Sequence, residues 1–148
     1  MPPTIAAGLT ERKPYARPQS ACFLCGQDNP AGLKIMFQLQ VDGGMAATWT
    51  PAPAWEGFRG IVHGGVVSTV LDGAMSKAVA ATGSEALTAE LRIRFRLPVQ
   101  SGTPFQIRGW VVRRSKRLIE TEATITAFDG TEHARAWASF LTLPKAQA

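Results

Sequence analysis

LTAELRIRFRL, residues 87–97, alternates without a break. Its odd positions are Leu87, Ala89, Leu91, Ile93, Phe95 and Leu97. Its even positions are Thr88, Glu90, Arg92, Arg94 and Arg96. An extended chain points successive side chains to opposite faces, so the pattern predicts a half-buried antiparallel strand. The same parity puts Thr88 on the polar face with Glu90, and Pro98 and Gly102 end the strand. Upstream the period changes. From Gly64 to about Ala81, the pairs Val66/Val67, Val70/Leu71, Ala74/Met75 and Ala78/Val79 recur every fourth residue. That spacing predicts a helix with one apolar stripe, capped by Gly83.

The remaining segments also read as strands. Residues 33–40 and 45–50 flank the turn Asp42-Gly43-Gly44. Phe105–Arg113 and Leu118–Phe128 flank a basic turn, and Asp129-Gly130 precedes a last strand, about Glu132–Leu143. Ala134, Ala136 and Ala138 share one face there, small enough to admit a helix closely. The order is β-β-α-β-β-β-β. The expected fold class is α+β, with a six-stranded antiparallel sheet wrapped around one long central helix. Doubly wound nucleotide folds need alternating βαβ units and do not fit. Prolines at 2, 3, 14 and 18 predict that residues 1–20 are a disordered or extended tail. Residues 21–144 form the expected domain, and 145–148 a short C-terminal tail.

The chain has 148 residues, of which 45% are hydrophobic and 18% charged, which excludes a wholly disordered or fibrous protein. A net charge of +5 and a pI near 9.8 favour anionic partners, without choosing among nucleic acid, anionic lipid and a phosphate-bearing small molecule. No RRM-type aromatic signature, zinc-finger spacing or helix-turn-helix pair supports nucleic acid. No run reaches the roughly 18 apolar residues of a membrane span. Nor does the N-terminus carry a secretory pattern. The expectation is a cytoplasmic protein with no membrane partner.

The sharpest local feature is HGGVVSTVLDG, His63 to Gly73, at the start of the predicted helix. Gly64 and Gly65 carry no Cβ, so a ligand atom can approach their N–H groups. Those groups lack intrahelical acceptors and lie at the positive end of the helix dipole, which suits a developing oxyanion. The same residues also suit a plain tight turn. Asp72 lies mid-helix beside Ser68, Thr69 and Ser76. It reads either as a general base or nucleophile, or as a solvated residue near Lys77. Gly64 and Asp72 are eight residues apart, a rise of about 12 Å. A reacting carbonyl needs both groups within about 3–3.5 Å. If both act on one substrate, they come from two subunits.

HGG with an Asp nine residues after His63, set in this element order, resembles the hotdog-fold acyl-CoA thioesterases. The nearest branch is similar to the phenylacetyl-CoA (PaaI-like) and THEM4-like thioesterases. CFLCGQDNPAGL (22–33) and TAELRIRFRLPVQSG (88–102) also look like segments of that branch. The resemblance implies hydrolysis of an acyl-CoA thioester by a homodimer or dimer of dimers, with no metal or other cofactor. Gly64 and Gly65 would polarise the carbonyl, and Asp72 of the other copy would activate water or attack. Thr88 would place the water, and His63 would shape the turn and approach the thioester. An Asn or Gln found before HGG in PaaI-like members has no counterpart here; Glu56 stands nearby. A non-catalytic acyl-CoA-binding or sensing protein is the alternative on the same fold.

Other residues admit two readings each. Trp55, Phe58 and Met75 either line an acyl pocket or pack the core. Arg113, Arg114, Lys116 and Arg117 either meet the CoA phosphates or form a solvated edge. Cys22-x-x-Cys25 has metal or redox spacing, yet zinc needs about four ligands and only His63 and His133 remain as candidates. A loop-shaping pair is the favoured reading.

Overall fold

The computed structural model describes residues 20–144. The expected tails fall outside the described residues, Ser20 apart. Helix α1 spans Gly64–Ala81, where the four-residue period placed it. Gly83 follows at φ +88°, a left-handed conformation open to a residue without Cβ. Six strands complete the chain: β1 (Gln38–Leu39), β2 (Met45–Trp49), β3 (Ala86–Phe95), β4 (Phe105–Ser115), β5 (Leu118–Ala127) and β6 (Glu132–Thr142). They form one antiparallel sheet in the order β1-β2-β4-β5-β6-β3. The sheet wraps α1, which is the hotdog arrangement. No helix among the described residues is long and apolar enough to cross a membrane.

The helix stripe of Val67, Val70, Leu71, Ala74 and Met75 is buried against Phe105, Ile107, Ile125 and Phe140. The alanine row works as expected, with Ala134, Ala136 and Ala138 all buried. The tightest approach lies elsewhere. Gly109 of β4 faces the helix backbone, and a Cβ there would stand 2.4 Å from the Ala74 carbonyl oxygen. Only glycine lets sheet and helix meet at that point.

Two sequence expectations need correction. The strand over 33–40 shrinks to Gln38–Leu39. The N–H groups of Leu33 and Ile35 donate to Phe23 and Leu24 carbonyls, so this backbone binds the Cys22–Cys25 loop instead of β2. Lys34, at φ +54°, also breaks the extended run. The second correction concerns β3, which is not half buried. It is the outermost strand, and Leu87 and Phe95 are 61% and 54% exposed. Its alternation is also interrupted. Thr88 pairs with Phe140 and Glu90 with Ser139, leaving Ala89 as a bulged residue. Thr88 therefore shares the helix-facing side with buried Phe140, not the polar face with Glu90.

Gly109→Ala should destabilise the protein by about 2 kcal/mol, since the clash is with backbone that cannot step aside. Thermal denaturation would show a Tm lower by about 4–8 °C.

Candidate active site

His63 caps α1. Its backbone is extended (ψ 134°), and its ring Nδ1 accepts a 2.8 Å hydrogen bond from Gly65 N–H. That bond has two consequences. It leaves a neutral His63 with its proton on Nε2, and it occupies the Gly65 N–H. The N–H groups of Val66 and Val67 donate to the His63 carbonyl. Gly64 N–H has no acceptor among the described residues. Of the two glycines, Gly64 is the one with a donor to offer.

A cleft of about 670 Å³ opens beside it. Phe58, Ile61, Val62, Val67, Phe95 and Val99 make most of its wall apolar, with His63 and Gly64 at one side. A Cβ on Gly64 would lie 3.7 Å from the Phe95 ring, so glycine keeps this approach clear. Arg96 also borders the cleft, but its Nε donates to Glu132 at 2.8 Å. Hydrogen bonds from Arg135, then Arg96, hold the Glu132 carboxyl below the usual carboxylate range, although partial burial opposes them. The cleft's cation is thus already paired.

Asp72 is half-buried on α1. The Thr88 hydroxyl donates to its Oδ1 at 2.7 Å. The β3 bulge makes this contact possible, because it turns Thr88 toward the helix. Ser68 and Thr69 do not join them; their hydroxyls donate to the Gly64 and Gly65 carbonyls one turn back. The structure therefore separates two candidate half-sites. Gly64, His63 and Phe95 lie at the end of β3, and Asp72 with Thr88 at its start.

Of the three expected pocket residues, Trp55 and Met75 do not line the cleft, and neither does Glu56. Met75 is sealed in the core, so its pocket reading is corrected to packing. Trp55 packs against the core and meets Phe23 edge-on. Glu56 accepts a hydrogen bond from the Ser101 hydroxyl, tying the loop before His63 to the β3–β4 connection. Phe58 alone reaches the cleft, 83% exposed. The basic turn sits near the far end of α1. Arg113 pairs with Glu120, Arg114 donates to Ser84 just past the helix, and Arg117 donates to the Thr142 carbonyl. Lys116 holds the turn at φ +53°. Cleft residues missed from sequence, such as Phe95 and Val99, sit on a strand end and a connection within 88–102, where strand periodicity does not separate a cleft wall from an ordinary apolar face.

With this geometry in hand, comparison places the chain. The Thioesterase superfamily model matches residues 59–134, from the loop before His63 into β6, and the chain belongs to that superfamily. Acyl-coenzyme A thioesterase THEM4 of Xenopus laevis is 27% identical over 118 residues, covering 79% of this chain and 53% of that protein. The chain spans only half to three-fifths of the curated relatives it matches. Among solved structures, the thioesterase superfamily protein RHA08564 superposes with a TM-score of 0.79 at 26% identity, covering 82% of this chain and 60% of that one. BH2602 from Bacillus halodurans, crystallised with CoA, gives 0.68 at 28% identity, covering 77% of each.

His63→Ala should remove the helix cap and cost about 1 kcal/mol in chemical denaturation. His63→Asn, whose side chain also accepts from the helix start, should restore that stability.

Proposed function

We propose that this protein hydrolyses acyl-CoA thioesters at a site completed by two copies paired along β3. The observation that carries the reading is the placement of the half-sites. Within one chain the helix holds Gly64 and Asp72 about 12 Å apart, too far for one carbonyl. Among the described residues the outer edge of β3 is unpaired, and the strand carries exposed Leu91 and Phe95. A bare apolar edge is a template for another strand. Antiparallel pairing of two β3 strands, centred on Arg92 and passing over the bulged Ala89, sets Thr88 of one copy opposite Phe95 of the other. Each Asp72 then lies toward the other copy's Gly64. A two-fold axis generates two such sites at once.

The chemistry follows from the groups assembled. Gly64 N–H, at the positive end of the helix, stabilises the charge that develops on the thioester oxygen. Asp72 takes a proton from water as that water attacks the carbonyl carbon. Thr88, bonded to Oδ1, fixes the carboxylate and leaves Oδ2 for the water. The tetrahedral intermediate then collapses, expelling the CoA thiolate, which recovers the proton. The apolar cleft beside Gly64 holds the acyl group. The acyl-CoA thioesterase relative and the CoA-bound neighbour support this substrate class.

Release of free thiol from short, long and aryl acyl-CoAs tests the reading. Asp72→Asn should lower kcat by at least about 100-fold. Thr88→Val should lower it about 10- to 100-fold through misplacement of the carboxylate. Unchanged kcat in Asp72→Asn contradicts the mechanism, and saturable binding without thiol release identifies a sensor instead. Leu91→Asp, a charge on the bare edge, should yield a folded monomer by sedimentation, with turnover lost.

A further inference from the structure

The Cys22–Cys25 loop lies outside the proposed site, and its construction is specific. Gly26 N–H closes the turn onto the Cys22 carbonyl at 2.8 Å. A Cβ at Gly26 would stand 2.3 Å from the Cys22 nitrogen, so this backbone admits only glycine. Ties from Leu33 to Phe23 and from Ile35 to Leu24 fix the loop from the other side. Leu24 packs onto α1 where Gly73 leaves room; a Cβ there would overlap its Cδ2 at 1.9 Å. Cys22 and Cys25 are both free thiols, partly exposed, on the two ends of this one turn. Lys77 stands one turn beyond Gly73 on α1, and its positive charge favours the thiolate form of both cysteines.

We propose that Cys22 and Cys25 form a dithiol site for thiol–disulfide exchange with small-molecule disulfides, in which Cys22 attacks and Cys25 resolves. The environments of the two sulfurs differ in the sense this requires. Burial opposes ionisation of Cys22, but the backbone N–H groups of Cys25 and Leu24, the Cys25 thiol and Lys77 together hold it below the ordinary thiol value. Burial dominates at Cys25 and pushes it up despite Lys77. A thiolate stabilised by turn N–H groups and a nearby cation is a reactive one. Among the described residues, no cluster of three or more His, Cys, Asp or Glu surrounds the pair, so a tetrahedral zinc site lacks its ligands.

The step balances. Cys22 thiolate attacks one sulfur of RSSR, forming the Cys22–SR mixed disulfide and releasing RS⁻. Cys25 sulfur then attacks the Cys22 sulfur and expels the second RS⁻. Two electrons pass from the dithiol to RSSR, and the two thiol protons end on two RSH.

The test incubates reduced, desalted protein with glutathione disulfide at pH 7, alkylates the remaining thiols and reads the intact mass. Wild type should lose both alkylation sites and retain no glutathione. Cys25→Ser should trap one glutathione, and Cys22→Ser should react at least about tenfold more slowly. Denaturation transitions matching wild type show both variants folded. Two thiols that stay alkylatable, two independent glutathione adducts, or equal rates in the two variants overturn the proposal.

Discussion

A straight helix is a ruler, and here it sets the terms for everything else. Gly64 at its first position and Asp72 two turns on are held about 12 Å apart by the backbone itself. No side-chain rotation brings a carboxylate and its own helix's leading N–H onto one carbonyl. The sheet adds a second constraint. It wraps α1 so closely that Gly109 must be glycine, and it ends at β3, whose outer edge is bare among the described residues. One half-site stands at each end of that edge. In the proposed reading, a second copy paired along the free edge of β3 completes both.

Much of this architecture was legible in the sequence, because it rests on periodicity. The four-residue repeat located α1 to the residue at its start, and hairpin turns placed β4, β5 and β6 within a residue or two. What eluded sequence reading has a local cause in each instance. Strict alternation over 87–97 conceals the bulge at Ala89, since a bulge changes pairing without changing residue type. The bulge is also what delivers Thr88 to Asp72, so parity pointed the wrong way for the residue nearest the carboxylate. Met75 belongs to a continuous apolar stripe, and periodicity cannot separate a pocket wall from a core. Gly65 looks identical to Gly64 in sequence; only the His63 ring shows that its N–H is spent.

In the proposed reading the helix start has two duties that compete for the same groups. A cap satisfies exposed N–H donors, whereas oxyanion stabilisation needs one left unsatisfied. His63 resolves this by taking Gly65 and leaving Gly64. Its extended backbone also brings the chain into α1 from the side of the cleft, where Phe58 and Phe95 stand. The opposite flank of the helix carries the Cys22–Cys25 loop, seated through Leu24 against Gly73, the residue next to Asp72. One helix thus presents a donor at its tip, a carboxylate at its middle and a cation beside two thiols a turn further on.

The shared site is tested most directly by mixing defects. Gly64→Pro deletes the N–H at a position where proline suits a helix start, and the extended His63 before it accommodates the ring. Asp72→Asn deletes the proposed base. Each variant alone should be nearly inactive. Co-expressed in equal amounts, half of the dimers are mixed, and each mixed dimer holds one site with both groups intact, so about a quarter of wild-type turnover should return. A mixture as inactive as its parents would mean that the two groups never serve the same carbonyl.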